Sequence, residues 1–163
     1  MFNLTLVLIF PLSSLLGDEF YKGDALVKKG VYAFYNYEFD KAVQVLDKAR
    51  VTYPEHPGVH FIWVAARWVR SQSNNSVSDT YQTLEDDLET ILPIYDTLVL
   101  KFDYDPTYKL YRGSAIGLTA RVSLGKKQWL RTLYRAYKGF LIINDVAKDH
   151  PELADSQLPI GIV

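Results

Sequence analysis

The chain has 163 residues, 48% of them hydrophobic and 23% charged, which is enough apolar material for one core and too much for a disordered segment. Its 18 basic and 19 acidic side chains leave a net charge of −1, so no global field draws it to nucleic acid, and no nucleic-acid partner is expected. There is no cysteine, which excludes disulfides, a thiol nucleophile and a lipidated cysteine.

The N-terminus differs from everything after it. From Phe2 to Leu16 no charge occurs, and Leu4, Leu6, Val7, Leu8, Ile9, Phe10, Leu12, Leu15 and Leu16 form an apolar block that ends at Gly17, Asp18 and Glu19. The block is shorter than the roughly 20 residues of a spanning helix and is interrupted by Pro11, the pattern of a secretory signal. Residues 1–17 are expected to be a signal peptide or, if residues 2–16 are retained, a membrane anchor; residues 18–163 are the expected folded domain. An exported helical domain without disulfides fits a bacterial periplasm.

Past this segment the period is helical throughout. Leu26, Val27, Gly30, Val31 and Phe34 form one stripe, with Lys22, Lys28 and Lys29 on the other face. A turn at Asn36 leads to a second helix striped by Phe39, Ala42, Val43, Leu46 and Ala49 and stopped near Pro54. Pro57 is placed as a first-turn proline for a helix with Phe61, Ile62, Ala65, Trp68 and Val69 inside, running to about Arg70. Residues 71–79, rich in Ser and Asn, read as a long turn; Asp79 with Gln82 then resembles a capping box. The next stripe is Tyr81, Leu84, Leu88, Ile91, Leu92, Tyr95, Leu98 and Val99, in a helix that Pro93 must kink or divide. Asp105 and Pro106 open a helix carrying Tyr108, Tyr111, Ala115, Leu118 and Val122, with Gly113 and Gly117 marking a tight seam and Gly125 a C-terminal cap. The last long helix, from about Lys127 to Lys148, is expected to bury Leu130, Leu133, Tyr134, Tyr137, Phe140, Leu141 and Ala147. The pair His150-Pro151 repeats the ending at His56-Pro57, a sign of an internal degenerate repeat, and the apolar Leu158 to Val163 suggests an array that continues.

Gly30, Phe39, Ala42, Leu46, Ala49 and Pro54 fall at the spacings of one helical hairpin of a tetratricopeptide repeat, which the segment from Gly23 to about His56 resembles. The His-Pro-x-x-x-Phe start at His56, the Tyr-x-Gly-x-Ala-x-Gly helix from Tyr111 to Gly117 and the pair Trp129-Leu130 are similar to a group of bacterial exported tetratricopeptide-like proteins. That resemblance implies an all-α fold of about three antiparallel helical hairpins stacked as a short right-handed solenoid. It implies no activity.

The common catalytic signatures, such as G-x-S-x-G, H-E-x-x-H and glycine-rich phosphate loops, are absent. His56 and His60 lie four apart, but Pro57 starts the helix between them and no third ligand is apparent, so neither a metal nor a cofactor is expected. Glu85, Asp86, Asp87 and Glu89 read as a solvated acidic face near a helix N-terminus. Lys127, Arg131 and Arg135 recur every four residues and form a candidate basic ridge, with Lys138 close by. Arg67, Arg112 and Arg121 sit near the apolar faces of their helices and must be paired or reach a groove, ion pairs with Asp87 or Asp103 being the structural alternative. With Trp68 and Tyr111 they make the candidate binding groove. The expected function is a non-catalytic scaffold that holds a protein or peptide; the alternative is a small-molecule-binding protein or enzyme with a pocket between helices.

Overall fold

The computed structural model describes residues 20–157. Among them the chain is all-α, with seven helices in order: α1 (Asp24–Tyr35), α2 (Phe39–Thr52), α3 (Val59–Asn74), α4 (Val77–Lys101), α5 (Pro106–Gly125), α6 (Trp129–Asp149) and the short α7 (Ala154–Gln157). Each helix packs chiefly against its neighbours in sequence. The expected signal segment and Leu158 to Val163 lie outside the described residues.

Consecutive helices run antiparallel, as their cross-contacts show. A Cβ at Gly30 would meet Leu46, whereas one at Gly23, about two turns earlier, would meet the ring of Tyr53. Arg50 reaches His60 while Asp47 receives the indole N–H of Trp63, and Arg67 meets Asp87 while Tyr95 reaches back to Pro57. The core is continuous through α1 to α5: Val31, Leu46, Ile62, Val64, Leu84, Leu88, Ile91, Tyr95 and Val122 are almost wholly buried. A smaller cluster of Leu110, Ile143 and Val146, joined by Leu153, ties α5, α6 and the start of α7. Gly23 has φ 102°, a left-handed conformation that leaves its side open to Tyr53.

Several expected boundaries shift, each for a local reason. The turn read over residues 71–79 shrinks to Asn75 and Ser76, because Ser73 and Asn74 bond back to the carbonyls of Val69 and Arg70 and extend α3 by a turn. The cap of α4 is Ser76, whose hydroxyl accepts from the Asp79 amide and donates to the Asp79 carboxylate; Asp79 is the third residue of that box and not its cap. α4 passes through Pro93 undivided. Asp105 caps α5 through the Thr107 amide, with Pro106 in the first turn. Gly125 does not take the left-handed cap conformation; Lys127 does, at φ 57°, which removes it from the helical ridge, while the bare Cα of Gly125 admits the Tyr81 ring.

The largest correction concerns α6. Leu130, Leu133, Tyr134, Tyr137 and Leu141 are exposed, Leu130 at 84%, and the buried side of the helix is Gly139, Ile143, Val146 and Ala147. The glycines explain the reversal. A Cβ at Gly139 would stand 2.6 Å from the Gly117 backbone and 2.8 Å from the Gly113 carbonyl. Only a helix face without a side chain there can approach so closely, so α6 turns its small-residue side to α5.

The contact is asymmetric, and that makes a test. A Cβ at Gly117 would lie 3.9 Å from the nearest atom, an ordinary van der Waals distance. Gly117→Ala should therefore leave stability unchanged or raise it by about 0.5–1 kcal/mol, the usual helix gain. Gly139→Ala should cost at least about 1–3 kcal/mol, because backbone must move. Urea unfolding of the two variants compares them directly, and equal effects would contradict this packing.

Candidate functional site: the outer face of α6 and the arginine-bearing seams

The end of the molecule where α1 and α5 begin holds a buried polar network. His56 is 8% exposed, and its Nδ1 accepts the Gly58 amide at 3.1 Å, so Nε2 carries the proton and donates to Asp24 Oδ1 at 2.7 Å. Asp24 Oδ2 accepts the amides of Phe20 and Tyr21. The Tyr21 hydroxyl donates to Asp105 Oδ2 at 2.8 Å and lies 3.0 Å from Thr107, joining the start of α1 to the start of α5; its burial pushes the phenol up to about 12. His60 accepts from Arg50 on one nitrogen and donates to the Pro54 carbonyl with the other. Both rings use both nitrogens on protein groups, so neither offers a free base or a metal ligand. A cavity of ≈280 Å³ adjoins this network, lined in part by Tyr21, Tyr53, His56 and Tyr108.

The expected groove residues occupy three separate places. Arg67 donates through Nε to Asp87 at 2.7 Å and lies 4.8 Å from the centre of the Trp63 ring, over which Arg50 lies at 3.6 Å. Arg112 pairs with Asp96 on the more exposed side of α4 and α5. Trp68 and Tyr111 are buried, Tyr111 packing against Phe61, and Arg121 sits 5.7 Å over Trp68 with its Nε buried and unbonded. The acidic quartet is divided as well. Asp87 is buried against Arg67, with its carboxyl pushed up by burial; Glu85 pairs with Lys126, Asp86 accepts from Gln82, and Glu89 remains exposed.

A polar cavity of ≈460 Å³ opens between the start of α2 and the α3–α4 turn, lined by Arg67, Arg70, Ser71, Asn74 and Thr83 among others. Arg70 faces Asp40 across 3.7 Å, a loose contact with a carboxylate 90% exposed. Sequence reading missed Arg50, Trp63 and Arg70 here. Their spacing was visible, but which helix edges meet was not.

The outer face of α6 is the most exposed apolar feature of the described surface. Trp129, Leu130, Leu133, Tyr134, Tyr137 and Leu141 stand on one side over about 18 Å of helix. Together they expose on the order of 600 Å², at the upper end for a monomer. The helical period sets Arg131 and Lys138 along one border of this stripe and Ala136 and Phe140 along the other, on the side of Trp129. Of the expected basic ridge, Arg135 is drawn into the α5 seam, donating to the Thr119 carbonyl and the Ser123 hydroxyl. Arg131 bonds only to Gln128, and Lys138 lies over the Tyr134 ring. Lys127 is exposed in its turn. The signal for this arrangement was in the sequence: Gly139 lies opposite the apolar stripe and matches Gly113 and Gly117 across the hairpin.

No family model matches the chain, and no curated protein or solved structure is significantly similar to it. Among the described residues no group of three or more metal-ligating side chains is gathered, and no helix is long and apolar enough to cross a membrane.

Burial holds both His56 and His60 below the usual histidine pKa, so the folded protein keeps them neutral. The unfolded chain takes up protons below about pH 6.5 that the folded chain refuses, so stability is complete above that pH and falls as pH drops through it. The protein should therefore be less stable to urea at pH 5.5 than at pH 7.5. Asp87, pushed up, acts in the opposite sense but in the carboxylate range. Urea titrations at pH 7.5 and 5.5 check this; an equal midpoint at both would show that neither ring is held neutral.

Proposed function

We propose that the chain is a short right-handed tetratricopeptide-like solenoid acting as a non-catalytic scaffold, and that it holds a protein partner on the outer face of α6. The observation that carries this reading is the stripe of six large apolar side chains turned to solvent on a helix that packs against α5 through Gly139 on its opposite side. Exposed contiguous patches of this size, rich in Trp and Tyr, are typical of interaction surfaces. The basic border supplies orientation more than affinity. A position outside the cytoplasm rests on the apolar block of residues 2–16 alone.

A second reading is a small-molecule-binding protein. The ≈460 Å³ cavity with two guanidinium groups favours it, and its polar lining suits a small anion better than an apolar ligand. In that case Arg67, and not α6, would carry the function.

Site-specific photo-crosslinking separates the two. With a benzophenone side chain at Tyr134 in one protein and at the exposed Glu89 in another, irradiation in an extract of the source cells should give a discrete protein adduct from position 134 only. Identical adducts from both positions, or none from either, would remove the scaffold reading.

A further inference from the structure

The partner's chemistry is written in how this chain distributes charge between helices. Most ion pairs between helices take their acid from α2 or α4, although Lys101 of α4 pairs with Glu55 of the α2–α3 turn. Asp40 and Asp47 of α2 face Arg70 and Trp63 of α3; Asp87 of α4 faces Arg67; Asp96 and Glu85 of α4 face Arg112 and Lys126 of the α5 segment. α6 follows α5 as α2 follows α1 and α4 follows α3, yet it inverts the rule. No Asp or Glu occurs from Lys126 to Asn144, a stretch with five cations. Among the described residues, no carboxylate forms an ion pair with Lys127, Arg131 or Lys138.

The fold also fixes the shape of what sits there. α7 packs at the α5-facing side of α6: Leu153 joins the cluster of Leu110, Ile143 and Val146, and Gln157 donates to the Ala147 carbonyl. It covers only the last turns of α6 and leaves Trp129 to Leu141 open. The open stretch is a straight ridge about 18 Å long, which a second helix of about three turns would contact along its whole length.

We propose that the outer face of α6 seats an amphipathic helix of a partner protein whose apolar stripe is bordered by Asp and Glu, laid against Leu130, Leu133, Tyr134 and Tyr137 with its acids toward Arg131 and Lys138. This rests on the scaffold reading above and names the partner's chemistry. A second copy paired through the same face brings no carboxylate to it. Two α6 helices paired antiparallel face like borders together, cation against cation, and the chain's own α3 and α5 bring arginines to such seams.

The test uses the full chain and two synthetic 18-residue helical peptides with the same Leu and Tyr stripe, one bordered by Glu and the other by Lys. Binding is read as peptide anisotropy. The Glu peptide should bind at least tenfold more tightly, and Arg131→Glu with Lys138→Glu should reverse the order; both side chains are exposed, so the fold is unaffected. Equal binding of both peptides before and after the reversal would overturn the acidic border. Phosphatidylglycerol vesicles run in parallel: if they bind the chain and displace the Glu peptide, the face belongs to an anionic lipid surface and the proposal fails. Sedimentation that shows a dimer lost on Leu133→Asp assigns the face to a second copy and also overturns it. The photo-crosslink at Tyr134 stands apart from all of these. A protein adduct there that survives the charge reversal sinks the acidic helix alone, whereas no adduct sinks the scaffold reading beneath it.

Discussion

One contact decides what this molecule shows to its surroundings: the approach of Gly139 on α6 to the backbone of Gly117 and the carbonyl of Gly113 on α5. Helices normally bury their most apolar side, because each large side chain removed from water contributes about 1.5–3 kcal/mol. α6 forgoes that gain at six positions and buries Gly139, Ala147 and the two branched residues Ile143 and Val146 instead. Close backbone packing along α5 compensates through dense van der Waals contact, and Arg135 stitches the seam by donating to Thr119 and Ser123. The exposed stripe is a consequence of this seam.

The other end of the molecule is held by hydrogen bonds between elements distant in sequence. Asp24, His56 and Tyr21 connect α1 to the α2–α3 turn and to the cap of α5, while the hydroxyls of Tyr95 and Tyr108 reach the carbonyls of Pro57 and Glu55. Each of these polar groups is satisfied, and this lets them lie inside a small helical core without a penalty for lost water. A histidine beside an aspartate in a cavity wall has the composition of a catalytic dyad. Its bonding is that of a brace, since Gly58 already occupies the nitrogen that a base would need.

The existence of α1 to α6 was legible from the three-and-four-residue period, because each has an apolar stripe and a recognisable stop, whereas the four-residue α7 is too short to show one. The Asp105-Pro106 start and the buried stripe of α5 followed from local chemistry alone. Three things did not follow. The Ser and Asn run after Arg70 looked like a turn by composition, yet those side chains return bonds to the preceding helical turn and prolong it. Asp87 looked solvated among its acidic neighbours, although it faces Arg67 across a seam set by tertiary packing. Periodicity named the right stripe on α6 and the wrong side of it, because period says that a face exists and not whether the fold fills it. Of the candidate groove, the arginine partners Asp87 and Asp96 belong to α4, which pulls Arg67 and Arg112 apart from Arg121 over Trp68.

The measurement that bears most directly on this account is hydroxyl-radical footprinting of the dilute protein, read residue by residue. With the glycine seam in place, Trp129, Tyr134 and Tyr137 should oxidise rapidly, while Trp68, Tyr95 and Tyr111 stay protected until the chain unfolds. If Tyr134 and Tyr137 are instead as protected as Tyr95, α6 packs by its apolar stripe, the glycine contact is not what orients it, and the surface assigned to a partner does not exist.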